Sequence, residues 1–296
     1  MAAIERAMTP RAYTVVDVFT ARPLLGNPVA VVLDAAGLDS AQMQAIARWT
    51  NLSETTFVLP ASVDGADYRL RIFTPRSELP FAGHPTLGSA HAVLEAGIVT
   101  PRDGVMVQEC GQGLVPIRVT GTGADRRLSL RMPAATLTRL TDGDITALEG
   151  ALGARLAPGI APARVDVGAV WIVAALHSAA DVLALTPDFA RCARLERHLH
   201  ATGISVFGDD GAGGIEVRSF APSCGVDEDP VCGSGNGSIA AFRAARGLLP
   251  APGADYTARQ GRAVGRDGHV AVRVEADGAV HIGGACVTCV QGSLTV

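Results

Sequence analysis

Alternation between apolar and polar residues predicts strands around helices. Residues 13–19 and 29–33 are rich in β-branched and aromatic side chains, and a turn containing Pro and Gly separates them. Residues 270–274 and 279–282 flank Asp277-Gly278, a pair typical of a hairpin turn. Apolar residues at helical spacing predict helices over residues 40–49, 85–96, 188–200 and 237–247. The pattern therefore predicts a mixed α+β fold.

The two halves of the chain repeat the same features. Arg71-Ile-Phe-Thr-Pro75 and Arg218-Ser-Phe-Ala-Pro222 share the pattern R-x-F-x-P, and each precedes a small-residue segment. Two further pairs are equally spaced, because 233 − 83 = 150 for Gly83 and Gly233, and 207 − 57 = 150 for Phe57 and Phe207. Three matched features in the same order predict a duplicated α+β unit.

The repeat divides the chain into two lobes. We expect an N-terminal lobe over residues 1–140 and a C-terminal lobe over residues 160–296, with the C-terminal strands free to join the first lobe. Residues 141–162 are rich in Gly and Pro, which is typical of a linker. Each lobe is expected to wrap a sheet around a central helix, and the two helix N-termini are expected to face one cleft.

Composition and charge limit the classes of partner that this chain is expected to have. The 296 residues are 48% hydrophobic and carry a net charge of −4, which argues against a nucleic-acid partner. Residues 1–9 lack the apolar core of a signal peptide, and the longest apolar run, residues 167–176, is about half a membrane span. We expect a soluble, cytoplasmic protein with no membrane partner.

The six cysteines do not suggest a metal or disulfide framework. Cys286 and Cys289 form a CxxC pair, but they lie in a β-like run over residues 285–290. Residues i and i+3 of a strand point to opposite faces, so the pair is not expected to chelate a metal. Without a secretory signal, disulfides are not expected either.

Two glycine turns are candidates for binding an anion. Gly83 and Gly233 each precede a predicted helix, whose free N–H groups and dipole attract a carboxylate. The alternative is that these glycines only permit tight turns. Because the repeat pairs them, we favour a carboxylate site.

Four side chains are candidates for chemistry. Glu54 lies among apolar neighbours, where desolvation would raise its pKa and make it a proton shuttle; the residues alone favour a solvated or capping role instead. His84 is either a hydrogen-bond donor and proton shuttle or a capping group. Asp229 either orients a partner or forms the turn before Pro230. Cys232, at a helix N-terminus, is equally a thiolate of lowered pKa or a buried core residue.

Motifs along nearly the whole chain resemble the phenazine-biosynthesis (PhzF-like) isomerase family. The matching segments are Asp17-Val-Phe-Thr20, Gly26-Asn-Pro28, Ala30-Val-Val32, Asn51-Leu-Ser-Glu-Thr-Thr-Phe57, Phe73-Thr-Pro75, Glu78-Leu-Pro-Phe-Ala-Gly-His-Pro-Thr86, Glu228-Asp-Pro230, Gly233-Ser234 and Val280-His-Ile-Gly-Gly284. The run from Glu78 to Thr86 is highly specific.

The resemblance implies a fold and a reaction. The fold would be the duplicated one of diaminopimelate epimerase, with the active site between the lobes. Members are typically homodimers without metal or organic cofactor, and the prototype isomerises trans-2,3-dihydro-3-hydroxyanthranilate. The catalytic glutamate of the family falls on Glu54, which reverses our preference above, with supporting residues His84 and Asp229. We assign binding of the small carboxylate substrate to Ser53, Gly83, Gly233 and Ser234.

One departure from the family pattern keeps the reaction subtype open. The family commonly has Ala-Thr-Gly-Ser where this chain has Val231-Cys-Gly-Ser234. Cys232 is similar to the second catalytic cysteine of two-cysteine racemases, but the equivalent position in the first half is Ala82. The leading hypothesis is a one-base isomerase using Glu54. The alternatives are an amino-acid or hydroxy-acid epimerase using Cys232 with Glu54, and a non-catalytic scaffold. A thiolate at Cys232 would be alkylated faster than the other five cysteines.

Overall fold

The computed structural model describes residues 9–249 and 253–296, which form two units. Unit 1 comprises the chain up to Leu24, Pro28–Leu128 and Cys286–Val296. Unit 2 comprises Leu25–Asn27 and Ser129–Ala285. In chain order the elements are β1 (Pro10–Val18), β2 (Asn27–Val32), α1 (Ser40–Thr50), β3 (Thr55–Leu59), β4 (Tyr68–Phe73), β5 (Glu78–Leu79), α2 (Gly83–Glu95), β6 (Val105–Cys110), β7 (Gly113–Thr120), β8 (Arg127–Arg131), β9 (Thr136–Arg139), α3 (Asp142–Leu152), β10 (Ala163–Asp166), β11 (Val170–Ala175), α4 (Ala179–Ala184), α5 (Phe189–His198), β12 (Gly203–Asp209), β13 (Ile215–Ala221), β14 (Val226–Asp229), α6 (Gly233–Ala245), β15 (Asp255–Gln260), β16 (Gly268–Val274), β17 (Val280–Gly284) and β18 (Cys286–Thr295).

The strand pairings confirm the duplication. In unit 1, β2 is parallel to β3, β3 antiparallel to β4, β4 parallel to β6, and β6 antiparallel to β7. In unit 2, β11 is parallel to β12, β12 antiparallel to β13, β13 parallel to β15, and β15 antiparallel to β16. The same alternation of parallel and antiparallel pairs therefore occurs twice, as the sequence repeat predicted.

Each unit packs its sheet against a central helix. α2 and α6 are both 13 residues long, and ten consecutive residues of α2, from His84 to Val93, are buried. Glycine permits this close approach: a Cβ on Gly88 would lie 2.3 Å from Cγ1 of Val29, and one on Gly235 would lie 2.4 Å from Oγ of Ser205. Small residues in both helices thus set the distance to the strands.

Three helices differ from the sequence prediction, since α3 and α4 were not predicted and α6 starts earlier than expected. α6 begins at Gly233, four residues before the predicted start at 237, because Cys232 accepts a hydrogen bond from the Gly235 N–H and caps the first turn. α3 occupies residues 142–152, inside the segment whose composition suggested a linker. Reciprocal hydrogen bonds between Thr141 and Asp144 cap its start, and Gly153 ends it at φ +68°.

The predicted C-terminal hairpin is confirmed. β16 and β17 pair antiparallel, with Val274 opposite Val280. In the turn, Asp277 Oδ1 accepts a hydrogen bond from the Ala279 N–H, and Gly278 has φ +86°. The CxxC segment also forms a strand, β18, which pairs with β1. Cys289 is the extra residue of a β-bulge there, because Val15 lies opposite Val290 and Val16 opposite Thr288.

The R-x-F-x-P motif has the same structural role in both units. Arg71 forms an ion pair with Glu78 in unit 1, and Arg218 forms one with Glu228 in unit 2. Each guanidinium also lies 5.1 Å from the centre of the phenyl ring two residues later. The repeat therefore marks a structural element that is present in both units.

The remaining helices pack against strands of their own unit. In unit 1, Met43 and Ile46 of α1 pack with Phe57 and Phe73. In unit 2, a core around Phe220 includes apolar residues of α3 and α5. Within the residues described, none of the helices is long and apolar enough to cross a membrane.

Candidate functional site

Glu54 lies in unit 1 between the end of α1 and the start of β3. Asn51 ends the helix in the left-handed conformation, with φ +54°, and the chain turns into the strand within four residues. The Glu54 side chain is 15% exposed, and its Oε2 atom is 3.5 Å from Nε2 of His84. The carboxylate is therefore largely removed from solvent and has an imidazole as its neighbour.

His84 is the second residue of α2, and its side chain is 8% exposed. Burial lowers its pKa to about 3, and a hydrogen bond to the Pro28 backbone opposes that shift. Because Nε2 faces Glu54 and has no hydrogen-bond partner among the described residues, Nδ1 donates to the Pro28 carbonyl. The imidazole is therefore neutral near pH 7, and its Nε2 lone pair points toward Glu54.

The start of α2 offers peptide N–H groups close to this pair. Ala82, the N-cap residue, makes no side-chain hydrogen bond to the first turn. Gly83 and His84 each carry an N–H there, whereas Pro85 has none. Ser53, the other substrate-binding candidate of unit 1, is half-buried in the bend that precedes Glu54. The structure therefore groups the unit 1 candidates around one helix N-terminus.

In unit 2, Asp229 ends β14 and precedes α6. Its Oδ1 accepts hydrogen bonds from Nδ2 of Asn27 and from the Val231 N–H, both at 3.0 Å. Desolvation raises the pKa of Asp229 to about 6, and a hydrogen bond from the Cys232 thiol opposes the shift. Asp229 thus titrates close to neutral pH.

Cys232 is the N-cap residue of α6, and its Sγ accepts a hydrogen bond from the Gly235 N–H at 3.3 Å. Burial raises the pKa of its thiol well above the usual value, and the negative charge of Asp229 adds to the effect. Of the two interpretations of Cys232, the geometry therefore supports the buried residue over the thiolate. Desolvation outweighs the helix N-terminus, so the thiol stays protonated and donates to Asp229.

A buried amide network fixes the backbone at this turn. Gln260 Oε1 accepts from the Cys232 N–H at 3.1 Å and from Nδ2 of Asn236 at 2.8 Å. Gln260 Nε2 donates to the carbonyl of Asp229 at 2.9 Å. Both ends of the turn from Asp229 to Cys232 are thereby held by one side chain.

Gly233 and Ser234 are the first two residues of α6. Gly233 is buried and Ser234 is half-buried. Ser234 Oγ accepts a hydrogen bond of 3.0 Å from the indole Nε1 of Trp171, and it lies 3.6 Å from Cys232 Sγ. The structure thus brings the unit 2 candidates Asp229, Cys232, Gly233 and Ser234 into one turn.

Sequence reasoning missed four residues that support these candidates. Asn27 belongs to the Gly26-Asn-Pro28 motif, which does not reveal that its side-chain amide donates to both Asp229 and the Val231 carbonyl. No local sequence pattern marks Asn236, Gln260 or Trp171. Their hydrogen-bond partners lie far away in the chain, because Trp171 binds Ser234 and Asn236 binds Gln260. Among the residues described, no cluster of three or more His, Cys, Asp or Glu side chains is arranged to hold a metal ion.

Comparison with known proteins places this chain in a family. Residues 16–292 match the family model described as phenazine biosynthesis-like protein, PhzC-PhzF. A protein of Schizosaccharomyces pombe named antisense-enhancing sequence 1 is 40% identical over 96% of this chain and 99% of its own. The trans-2,3-dihydro-3-hydroxyanthranilate isomerase of Pseudomonas aeruginosa is 36% identical over 90% of this chain and 91% of its own.

Solved structures agree in fold. A PhzF-family protein of Bacillus anthracis superposes with a TM-score of 0.87 at 25% identity, covering 98% of this chain and 100% of its own. A hydroxyproline epimerase of Agrobacterium vitis superposes with a TM-score of 0.65 at 16% identity, covering 100% of this chain and 94% of its own. That second likeness shows the fold alone, and it confirms the predicted epimerase-like architecture. The chain belongs to the phenazine biosynthesis-like family, PhzC-PhzF, and is an isomerase.

Proposed function

We propose that this isomerase shifts a proton on a small carboxylate substrate without a cofactor, and that Glu54 is its single acid/base. The model substrate is trans-2,3-dihydro-3-hydroxyanthranilate, which the Pseudomonas aeruginosa relative is named for. The observation that carries the proposal is the 3.5 Å approach of Glu54 Oε2 to the neutral, buried imidazole of His84.

One residue is sufficient both to remove the proton and to return it. The Glu54 carboxylate takes a proton from an sp³ carbon of the substrate, and the C–H electron pair enters the conjugated system. The protonated carboxyl then donates a hydrogen bond to Nε2 of His84, which has a lone pair available there. Glu54 returns the proton to a second carbon, the double bonds move, and the enzyme is unchanged.

Negative charge on the substrate requires hydrogen-bond donors. The N–H groups of Gly83 and His84 at the start of α2 supply two, and the helix dipole adds positive potential. Ser53 lies one residue from Glu54 and supplies a hydroxyl. We assign a second set of donors to Gly233 and Ser234 at the start of α6.

Two observations favour one base over the two of an epimerase. The Cys232 thiol is buried and donates to Asp229, so its proton is held within the protein and not directed at a substrate carbon. Ala82, the N-cap residue of α2, is the equivalent of Cys232, and its methyl side chain has no proton to exchange. Cys232 and Asp229 then orient the α6 turn, and Glu54 alone moves the proton.

Proton NMR in D₂O tests the reaction type. The wild-type protein is incubated with trans-2,3-dihydro-3-hydroxyanthranilate, and separately with L-proline and trans-4-hydroxy-L-proline as epimerase substrates. We expect migration of the double bond in the first compound and no exchange at the α-carbon of the other two. Inversion with deuterium uptake at an α-carbon would instead establish an epimerase. Absence of any reaction would favour the scaffold alternative.

We also propose that the protein is a homodimer, as is typical of the family it belongs to. Light scattering coupled to size-exclusion chromatography should then give twice the 30.4 kDa mass of the chain. A mass equal to that of the single chain over a range of concentrations would contradict this.

A further inference from the structure

The strand register relates residues of unit 1 to residues of unit 2. Ala30 on β2 lies opposite Thr55 on β3, and Val173 on β11 lies opposite Ser205 on β12. Thr55 and Ser205 are 150 residues apart, as are the repeat phenylalanines (205 − 55 = 150). Ala30 therefore corresponds to Val173, and counting two residues back along both strands pairs Pro28 with Trp171.

The central helices of the two units show the same spacing of 150 residues. His84 and Ser234 are the second residues of α2 and α6, and 234 − 84 = 150. In unit 1, the carbonyl of Pro28 accepts a hydrogen bond from His84. In unit 2, the indole of Trp171 donates a hydrogen bond to Ser234. In each unit, one strand position anchors the second residue of the central helix.

The Trp171 indole is itself held rigidly. The residue is 2% exposed. Gly203, its neighbour on β12, is tightly packed against the ring: a Cβ there would lie 2.6 Å from Cζ3 of Trp171. The indole N–H therefore points in a fixed direction, so the Ser234 oxygen that accepts it has a fixed position.

The direction of the hydrogen bonds determines what the Ser234 hydroxyl can do. An indole N–H only donates, so Ser234 Oγ is the acceptor and keeps its own proton for another partner. The other polar neighbour of Ser234 is Cys232 Sγ at 3.6 Å. Sulfur is a weak acceptor, and the thiol proton goes to Asp229. A stronger acceptor, such as a carboxylate, would displace the sulfur.

We propose that Trp171 is a positioning residue, whose indole N–H holds Ser234 Oγ so that the Ser234 O–H donates to the anionic group of the substrate. This inference rests on the proposed function, because it needs a substrate carboxylate at Ser234. Trp171 itself does not touch the substrate. Its contribution is to convert a freely rotating hydroxyl into an oriented donor.

Binding of 3-hydroxyanthranilate tests the inference. This aromatic acid retains the carboxylate, amine and hydroxyl of the model substrate but has no sp³ C–H to transfer. Calorimetric titration compares wild type, Trp171→Phe, Ser234→Ala and the double variant. We expect each single change to weaken binding about tenfold, the scale of one hydrogen bond to a charged group. The double variant should be no weaker than Ser234→Ala, because both changes remove the same interaction.

A purely structural role for Trp171 makes a different prediction. Trp171→Phe would then lower the melting temperature and leave the binding constant unchanged, or its effect would multiply with that of Ser234→Ala. Either result overturns the inference and leaves the proposed function standing. If Ser234→Ala does not weaken binding, the inference is overturned and the Glu54 mechanism still stands. Failure of wild type to bind the probe contradicts the proposed substrate class and therefore both proposals. Trp49→Phe, on the exposed tryptophan of α1, is the control.

A second variant covers the case in which Trp171→Phe does not fold. The chain has two tryptophans, so in the Trp49→Phe background Trp171 is the only one. Global replacement of tryptophan by 3-benzothienylalanine then substitutes sulfur for the indole N–H without changing the ring shape. Binding of 3-hydroxyanthranilate should fall about tenfold, and unchanged binding would overturn the inference.

Discussion

Arg218 binds Glu228 through two hydrogen bonds, 3.0 Å from Nε and 2.7 Å from Nη2, and the two side chains are only 7% and 5% exposed. Arg71 and Glu78 make the equivalent two-point pair in unit 1, with both bonds at 2.7 Å, but they are 19% and 42% exposed. The duplication has thus placed one ion pair in two environments.

This difference predicts unequal costs for the same substitution. Glu228→Gln leaves the Arg218 charge buried without its carboxylate, so we expect the free energy of unfolding to fall by about 3–5 kcal/mol. Glu78→Gln removes a partly solvated pair, and we expect a loss of about 1 kcal/mol or less. Urea denaturation of both variants measures the two values. Equal losses of unfolding free energy in the two variants would contradict the description of one ion pair as buried and the other as partly solvated.

Glu54→Gln should lower kcat by at least about 10²-fold while the protein still folds and binds 3-hydroxyanthranilate. The amide keeps the size of the side chain but cannot take a proton from carbon. Steady-state kinetics on trans-2,3-dihydro-3-hydroxyanthranilate measures the effect. Glu275→Gln, on an exposed turn residue, is the matched control and should retain wild-type turnover. Near wild-type turnover in Glu54→Gln would show that another group is the base.

The buried, neutral His84 should make the protein less stable in acid. Its pKa is about 3 in the folded state against an ordinary value near 6.5, so between these values the unfolded chain binds a proton that the folded chain does not. This contribution to stability is lost as the pH falls from about 6.5 toward 3, by up to about 1.4 kcal/mol per pH unit.

Asp229 acts in the opposite direction and must be separated from His84. Its raised pKa of about 6 contributes stability that is lost as the pH rises from about 4 to 6. Comparing wild type with His84→Asn cancels that term, because both contain Asp229. We expect the stability advantage of wild type to shrink by roughly 2 kcal/mol between pH 6.5 and 5. A difference between wild type and His84→Asn that stays constant over this pH range would contradict the prediction.

Cys232 should react slowly with alkylating agents. Its thiol is buried and its pKa is raised, whereas Cys224 is exposed. With iodoacetamide at pH 8, mass spectrometry of peptides should find Cys224 modified well before Cys232. Faster labelling of Cys232 would instead support the thiolate interpretation.

Turnover of Cys232→Ser separates the two enzyme mechanisms. If Glu54 is the only base, the serine variant should retain activity within about tenfold of wild type, since a hydroxyl can also cap α6 and donate to Asp229. If Cys232 is a second base, the variant should be nearly as inactive as Glu54→Gln, and combining the two substitutions should add little. Cys224→Ser is the control for loss of an exposed thiol.

Much of the fold could be predicted because the repeat was visible locally. The Asp277-Gly278 hairpin follows from turn chemistry, and the spacing of Phe57 and Phe207 marked equivalent strands. The start of α6 was misplaced because glycines at 233, 235 and 237 have low helix propensity. In the structure, cap formation by Cys232 and close packing at Gly235 outweigh that propensity.

The candidate site was harder to predict than the fold. Glu54 and His84 are 30 residues apart in sequence, and apolar neighbours alone did not show that they meet. Trp171 lies 63 residues before Ser234. For Cys232, the sequence showed the helix N-terminus but not the burial and the carboxylate of Asp229, which decide its protonation. Long-range contacts of this kind leave no local pattern.

Strand β18 has a consequence for the order in which the two units can fold. Unit 1 is a discontinuous domain into which residues 129–285 of unit 2 are inserted, and β1 pairs with β2 on one side and with Cys286–Thr295 on the other. A chain that ends at Ala285 contains all of unit 2 but leaves one edge of β1 without its partner strand. Deleting Cys286–Val296 should therefore yield a chain with a protease-resistant unit 2 and a protease-sensitive unit 1.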